Sequence, residues 1–155
     1  RYGHIHVRRP AEFSVAYRSV KADRDEWFVA AHLQLQSVSA EQQDSIKKNV
    51  KALLAKRNQS QPIGQPSCGS VFRNPADGYA AELIEKTGLK GLCVGGACVS
   101  DKHANFIINT GTASASDIEA LVYKVEDMVY QAQGIRLQRE VRIVGEDKLR
   151  GASAD

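Results

Sequence analysis

Residues 66–75, Pro66-Ser67-Cys68-Gly69-Ser70-Val71-Phe72-Arg73-Asn74-Pro75, pack a glycine, a hydroxyl, a guanidinium, a carboxamide and a closing proline into one short stretch. Gly69 and Pro75 punctuate the backbone, so the segment between them reads as short, irregular or a brief strand. A core does not require Ser70, Arg73 and Asn74 there. Arg73 and Asn74 carry N–H donors of the kind that hold phosphate or carboxylate oxygens, and Ser70 offers a hydroxyl that can give a proton or accept a hydrogen bond. Taken alone, the stretch reads either as a polar loop with a turn at each end or as a ligand-facing segment. The chain on either side of it has to decide.

With 155 residues the chain has the length of one ordinary domain, or of one domain and a piece of another. A hydrophobic share of 43% and a charged share of 25% are those of a soluble globular protein able to bury a sizeable core. The net charge of +3, from 21 basic and 18 acidic residues, is mild: it does not argue for nucleic acid, where a basic stripe is expected, and it permits a small anionic ligand. No apolar run is long enough for a transmembrane helix and no signal-peptide pattern opens the chain, so the expectation is a cytoplasmic protein away from membranes. Cys93 and Cys98 in GLCVGGACV lack a CxxC spacing, and three cysteines are an odd number, so reduced, mostly buried thiols and no metal site are expected. The sequon at Asn58 matters only in a secreted protein and is set aside. The chain starts at Arg1 and runs directly into the alternating RYGHIHVRR, as if its beginning lay elsewhere.

Residues 1–37 read as β-structure. Trp27 to Gln36 ends in period-2 alternation, Phe13 to Tyr17 is its expected partner, and AYRSVKADRDE is a polar hairpin-like connection. His4, His6 and His32 read as solvent-facing strand residues. The period then changes, and a boundary is expected near Ser37. Ser39 with Gln42 forms a capping-box pattern, Ile46, Val50, Leu53 and Leu54 share one helix face, and Lys47, Lys48 and Lys51 share the other. This helix is expected to run out at Lys56-Arg57. Tyr79 to Lys86 reads as a short helix ended by Gly88, and Leu89 to Val99 as a glycine-rich stretch of close backbone approach. Phe106 to Ile108 reads as a strand closed by Gly111. Ser116 with Glu119 is a second capping box, opening a helix with Ile118, Leu121, Val122, Val125, Met128 and Val129 on one face and Gly134 at its end. Ile135 to Val144 alternates like a half-exposed strand, and a polar tail follows from Gly145. Helices and short strands without regular βαβ alternation favour α+β.

GSVFRNP, GLKG, GGACVSDKHANF and EVRIVGE stand in one order along residues 57–147. In content, order and spacing they resemble the C-terminal part of the bacterial UDP-N-acetylenolpyruvoylglucosamine reductases, with AYRS near Tyr17 a looser match. The resemblance implies a domain layout: 1–37 as the last strands of a vanillyl-alcohol-oxidase-type FAD-binding lobe, 38–147 as the C-terminal substrate-binding domain, and 148–155 as a flexible tail. The rest of the FAD lobe would then lie outside this chain. Nothing between Gln36 and Ser39 could form a tyrosine-bearing lid, which resembles the branch of the family without one.

The resemblance also implies a reaction. NADPH reduces FAD, hydride passes to C3 of UDP-N-acetylglucosamine enolpyruvate, and a serine protonates C2 to give UDP-N-acetylmuramate for peptidoglycan. By motif match Ser70 is the proton donor, with Glu140 and Arg18 polarising the enolpyruvyl carboxylate. Asn74, Arg73 and Arg57 match substrate-binding positions, and Tyr17 with Arg18 the flavin-side positions. Lys102 and His103 read as loop residues that shape the site. The chemistry suits these residue types, because hydride addition creates an enolate-like charge that cations and donors stabilise. Serine, a weak acid, serves only if well placed against a strong base as it forms. Two rival classes stay open at this stage: a non-catalytic module or inactive fragment that binds a UDP-sugar, and, from the Lys47, Lys48 and Lys51 face alone, a nucleic-acid-binding domain.

Overall fold

A computed structural model describes residues 3–22 and 25–145. The chain divides into two units, Arg1–Ala40 and Glu41–Asp155. Arg1, Tyr2, part of the polar connection at 23–24 and the tail beyond Gly145 lie outside the described residues.

In the first unit a single turn of 3-10 helix, Pro10–Glu12, is closed where the Arg9 N–H donates to the Glu12 carboxylate at 2.6 Å. β1 (Ser14–Ala16) and β2 (Ser19–Lys21) then pair antiparallel across the two-residue turn Tyr17-Arg18. Arg18 has φ 55°, the only positive value for a non-glycine among the described residues. The expected partnership of 13–17 with 27–36 does not form. A two-residue turn closes at far lower entropic cost than a longer connection, so Ser19–Lys21 takes the place beside β1. Residues 26–39 and 3–9 form no regular element despite their alternation. Alternation assigns faces, but a strand exists only where a partner supplies the ladder. His4, His6 and His32 are exposed, outside any strand.

α1 (Ala40–Ser60) begins immediately after Ser39 and runs past the expected end at Arg57. The Gln61 N–H donates to the Arg57 carbonyl at 2.9 Å, continuing the ladder, and Pro62, which has no N–H, stops it. Its apolar face is not covered: Ile46 is 47% exposed and Leu53 66%.

The core of the second unit is an antiparallel sheet packed against the later of its two long helices. The strands are β3 (Ser67–Ser70), β4 (Phe72–Arg73), β5 (Cys93–Val94), β6 (Ala97–Val99), β7 (Phe106–Asn109) and β8 (Gln138–Arg139). Four form a sheet in the order β3-β7-β6-β5, and β4 with β8 forms a separate ribbon. The expected strand over 135–144 is therefore only Gln138–Arg139, because β4 offers it just two residues to pair with. α2 (Ala80–Lys86) ends before Gly88, whose φ of 75° lets the chain reverse.

α3 (Ala115–Gln133) packs across β5 and β6, with α2 against it. Its N-cap is Ser114, two residues ahead of the expected Ser116. Ser114 Oγ accepts the Asp117 N–H at 3.1 Å and the Asp117 carboxylate accepts the Ser114 N–H at 2.8 Å. Both serines have an acid three residues on, and the helix starts at the one whose bonds close. Leu121, Val122, Val125 and Val129 are buried to 2% exposure or less. Each such side chain contributes roughly 1.5–3 kcal/mol of burial free energy. Their partners include Val71, Ile84, Ala97, Val99 and Ile107. Gly134, φ 70°, caps the helix.

The β5–β6 hairpin turns on Gly95-Gly96 and lies so close to the start of α3 that a Cβ on Gly96 would meet the Ala113 nitrogen at 2.4 Å. In this hairpin Cys93 and Cys98 are directly opposite, Cα to Cα 4.1 Å, and form a disulfide. The expectation of reduced, mostly buried thiols is corrected: the sequence rule looked for CxxC, whereas hairpin register aligns residues five apart. Cys93 and Cys68 are exposed, and Cys68 is free.

Thiol titration of the unfolded chain without reductant should therefore count one reactive cysteine, rising to the full three after reduction. Three in both states would exclude the Cys93–Cys98 bond. Gly96→Ala should lower stability by about 1–3 kcal/mol in a denaturant titration, since the obstructing atoms are backbone and cannot rotate away.

Candidate functional site

Gly69, at φ 84°, breaks the register between β3 and β7 so that Ser70 pairs with Phe106 while Ser67 pairs with Ile108. Such a bulge re-aims the residue that follows it. Val71 and Phe72 then plunge into the core at 1% and 3% exposure, leaving half-buried Ser70 on one side and Arg73 and Asn74 on the other. The segment is thus pinned by two apolar residues in its middle, and its polar side chains flank the pin.

β8 brings in Glu140. The Val71 carbonyl accepts the Glu140 N–H at 2.8 Å and the Val141 N–H at 3.3 Å, so Glu140 is bonded to the residue after Ser70. Arg73 Nε lies 3.1 Å from Glu140 Oε2. Neither atom is aligned for a hydrogen bond although both are buried, so the contact is Coulombic. The terminal guanidinium N–H groups of Arg73 make no hydrogen bond among the described residues. Next to Glu140, Arg139 is held by Glu126, Nε to Oε1 2.8 Å, and lies 4.7 Å from the Tyr123 ring centre. Burial raises the Glu126 carboxyl above its ordinary range, and Arg139 opposes that shift. β8 ends at Arg139, and the chain bends at Glu140 and Val141, whose N–H groups share the Val71 carbonyl. Arg139 fastens the end of β8 to α3, and the residue after it, Glu140, meets Arg73.

Asn74 Oδ1 accepts the Ala80 N–H at 3.1 Å, at the start of α2. That bond orients the carboxamide, leaving both N–H groups of Nδ2 to a ligand. Arg57 is exposed on α1, its Nε donating to Gln61 Oε1 at 3.2 Å, and no contact joins it to Ser70, Arg73 or Glu140. Tyr17 and Arg18 sit on the β1–β2 turn of the first unit, exposed, with the guanidinium carbon 5.9 Å from the ring centre. Ser70, Arg73, Asn74 and Glu140 are thus gathered by the second unit.

Sequence reading overlooked Asn105. It is 3% exposed, and its carboxamide bonds Phe72 twice: Oδ1 accepts the Phe72 N–H at 2.9 Å and Nδ2 donates to the Phe72 carbonyl at 2.8 Å. Its backbone carbonyl accepts the Val71 N–H at 2.9 Å. The only signal in the sequence was a carboxamide between Ala104 and Phe106, two apolar neighbours. Around it the loop is equally constrained: Ser100 Oγ accepts the Lys102 and His103 N–H groups, and Lys102 Nζ donates to the Asn58 carbonyl at 2.6 Å. His103 stacks edge-on against Phe106, 4.7 Å between centres, and its Nδ1 accepts the Asn105 N–H at 3.3 Å.

The second unit is an α+β domain that brings the guanidinium of Arg73, the exposed Asn74 and the hydroxyl of Ser70 onto one bulged segment and the Glu140 carboxylate beside it. Residues 61–144, more than half of the chain, match the family model described as UDP-N-acetylenolpyruvoylglucosamine reductase, C-terminal domain. Curated proteins named UDP-N-acetylenolpyruvoylglucosamine reductase match over almost the whole chain. That of Alkalilimnicola ehrlichii is 54% identical over 146 residues, which are 94% of this chain and 48% of that protein. That of Methylococcus capsulatus is 55% identical over 139 residues, 90% of this chain and 45% of that protein. The crystal structure of UDP-N-acetylenolpyruvylglucosamine reductase from Thermus caldophilus matches with a TM-score of 0.75 at 31% identity, over 90% of this chain and 49% of that one. The chain belongs to the UDP-N-acetylenolpyruvoylglucosamine reductase family, and it spans about half the length of the curated relatives it matches. No helix among the described residues is long and apolar enough to cross a membrane.

Burial holds the His103 imidazolium disfavoured, its pKa below the ordinary 6.5. A base with a depressed folded pKa stabilises the fold above its unfolded value and loses that contribution as pH falls through the folded one. Protonating Nδ1 would also break its bond with the Asn105 N–H. Thermal unfolding should therefore drop on acidification below 6.5, and His103→Gln should flatten that part of the profile. An unchanged slope in the variant would remove His103 as its source.

Proposed function

We propose that this chain provides the substrate-side machinery of an NADPH-dependent, FAD-mediated reduction of UDP-N-acetylglucosamine enolpyruvate to UDP-N-acetylmuramate, a cytoplasmic step of peptidoglycan synthesis. In this reading residues 1–37 belong to the end of the flavin-binding lobe and 38–147 form the substrate domain. Nucleic acid and membrane have no part in it. The observation that carries the reading is the bond from the Glu140 N–H to the Val71 carbonyl, which joins a carboxylate-bearing segment to the one holding Ser70, Arg73 and Asn74.

Tyr17 and Arg18, exposed on a tight turn, offer a ring and a guanidinium to the edge of a bound flavin without enclosing it. When bound, FAD supplies to C3 of the enolpyruvyl group the hydride it received from NADPH. Ser70 gives its hydroxyl proton to C2, completing addition of one hydride and one proton across the double bond, and is reprotonated from solvent. Negative charge spreads into the enolpyruvyl carboxylate as C3 gains hydride. In this reading Arg18 polarises that carboxylate, where preorganised positive charge lowers the barrier most, and Glu140 joins it through a shared hydrogen bond, since two bare anions would repel. Asn74, through its free N–H groups, and Arg73 take the diphosphate, with Arg57 on α1 as a further cation for it.

In the flavin-loaded enzyme that contains this segment, Ser70→Ala should leave flavin reduction by NADPH unchanged and slow enolpyruvate reduction by roughly 10²–10⁴-fold, the range expected for loss of a positioned acid. Stopped-flow absorbance of the flavin follows both half-reactions. Equal loss in both would refute the role given to Ser70. Saturable binding of the enolpyruvyl nucleotide without turnover by the unsubstituted protein would leave only a UDP-sugar-binding module.

A further inference from the structure

β4 has a strand on only one flank. β8 covers that side, and among the described residues no strand pairs with the other. Its place is taken by a single side chain, because the Asn105 carboxamide offers Phe72 one acceptor and one donor, as the facing residue of an antiparallel neighbour would. The backbone of the same residue takes the Val71 N–H, while the Val71 carbonyl holds the Glu140 and Val141 N–H groups. One continuous set of bonds therefore runs from Asn105 through Phe72 and Val71 to Glu140, with Ser70 covalently next to Val71. We propose that Asn105 is a positioning residue that sets, through this set of bonds, where the Ser70 hydroxyl and the Glu140 carboxylate stand relative to the reacting atoms. The proposal rests on the roles given above to Ser70 and Glu140.

The chemistry of the bracket supplies its own test. A neutral carboxylic acid of the same length also offers one O–H donor and one carbonyl acceptor, whereas its carboxylate offers acceptors alone. Asn105→Asp is thus a bracket that closes when protonated and opens when ionised, and its burial favours the neutral form at moderately acid pH. The charged or titrating groups around it are His103, whose Nδ1 receives the Asn105 N–H, Arg139 opposite Phe72, and the Arg73–Glu140 pair. All are retained in Asn105→Ala, which serves as the control for their own titration.

The experiment compares the flavin-loaded enzyme with its Asn105→Asp and Asn105→Ala variants across pH, using UDP-N-acetylglucosamine enolpyruvate. Above neutrality both variants should reduce the enolpyruvyl group roughly 10²-fold more slowly, the cost of misplacing reacting groups by about an ångström, with KM little changed and flavin reduction by NADPH intact. On acidification Asn105→Asp should recover toward the parent and Asn105→Ala should not. Parent-like turnover in a folded variant, loss of both half-reactions together, or identical pH profiles for the two variants would overturn the proposal. Amide hydrogen exchange at Glu140, which Asn105 does not touch, gives a readout independent of catalysis: its protection should fall in the ionised Asp variant and return on protonation. If the unsubstituted enzyme fails to reduce the enolpyruvyl group, the functional reading fails by itself. Exchange then decides the positioning, and unchanged protection at Glu140 in Asn105→Asp, the variant that keeps the parent's volume, overturns it.

Discussion

A peptide unit buried at Phe72 has to find both a donor and an acceptor, and the carboxamide of Asn105 supplies the pair from the far side of the β4–β8 ribbon. Each buried backbone group left unpaired costs about 1–3 kcal/mol, comparable with a sizeable part of a small domain's stability. That constraint decides the path of the whole polar segment. With Val71 and Phe72 drawn into the core and bonded there, Ser70 cannot drift along β3, and Arg73 and Asn74 emerge at the other end with a set direction. The ribbon and the four-stranded sheet are separate in their pairing; the chain crosses from one to the other at Val71, and Asn105, immediately before β7, braces that crossing by its bonds to Val71 and Phe72.

Behind this segment, α3 forms the wall against which the sheet is assembled. Its four fully buried side chains give the core its area, and Arg139, fixed to Glu126 and over Tyr123, extends the same helix's influence to β8. Glycines allow the close approach this requires. Gly96 leaves no room for a Cβ against the chain entering α3, and the hairpin it closes aligns Cys93 with Cys98. The helix, the hairpin and the ribbon are three parts of one packing solution, and the side chains of the candidate site flank the buried Val71 and Phe72.

Much of the site was legible in the residues themselves. Ser70, Arg73 and Asn74 stand out because nothing apolar needs them between Gly69 and Pro75, and Glu140 because the motif containing it follows the others in a fixed order. Asn105 was not legible: in KHANF it looks like any polar loop residue, and only burial to 3% exposure turns a carboxamide into a structural bracket. The strand readings over 27–36 and 135–144 failed for a related reason. Alternation describes which way side chains would face, while the existence and length of a strand depend on a partner, and β4 offered only two residues. The second capping box was misplaced by two residues because Ser114 and Ser116 have equivalent spacing to an acid, and only the closed bonds distinguish them.

Local pattern along the chain was enough for the α+β class, for the helices at Ala40–Ser60, Ala80–Lys86 and Ala115–Gln133 to within a turn, and for the identity of the polar groups available for chemistry. Helix periodicity, caps and side-chain chemistry are local, so a single chain read in order carries them. Tertiary structure alone decided that Glu140 meets Arg73, that Asn74 turns its N–H groups outward, that Cys93 bonds Cys98 and that Asn105 stands in for a missing strand. Each of these joins residues through register, burial or a shared backbone group, and such pairings have no local signature because they come into being only when distant segments pack.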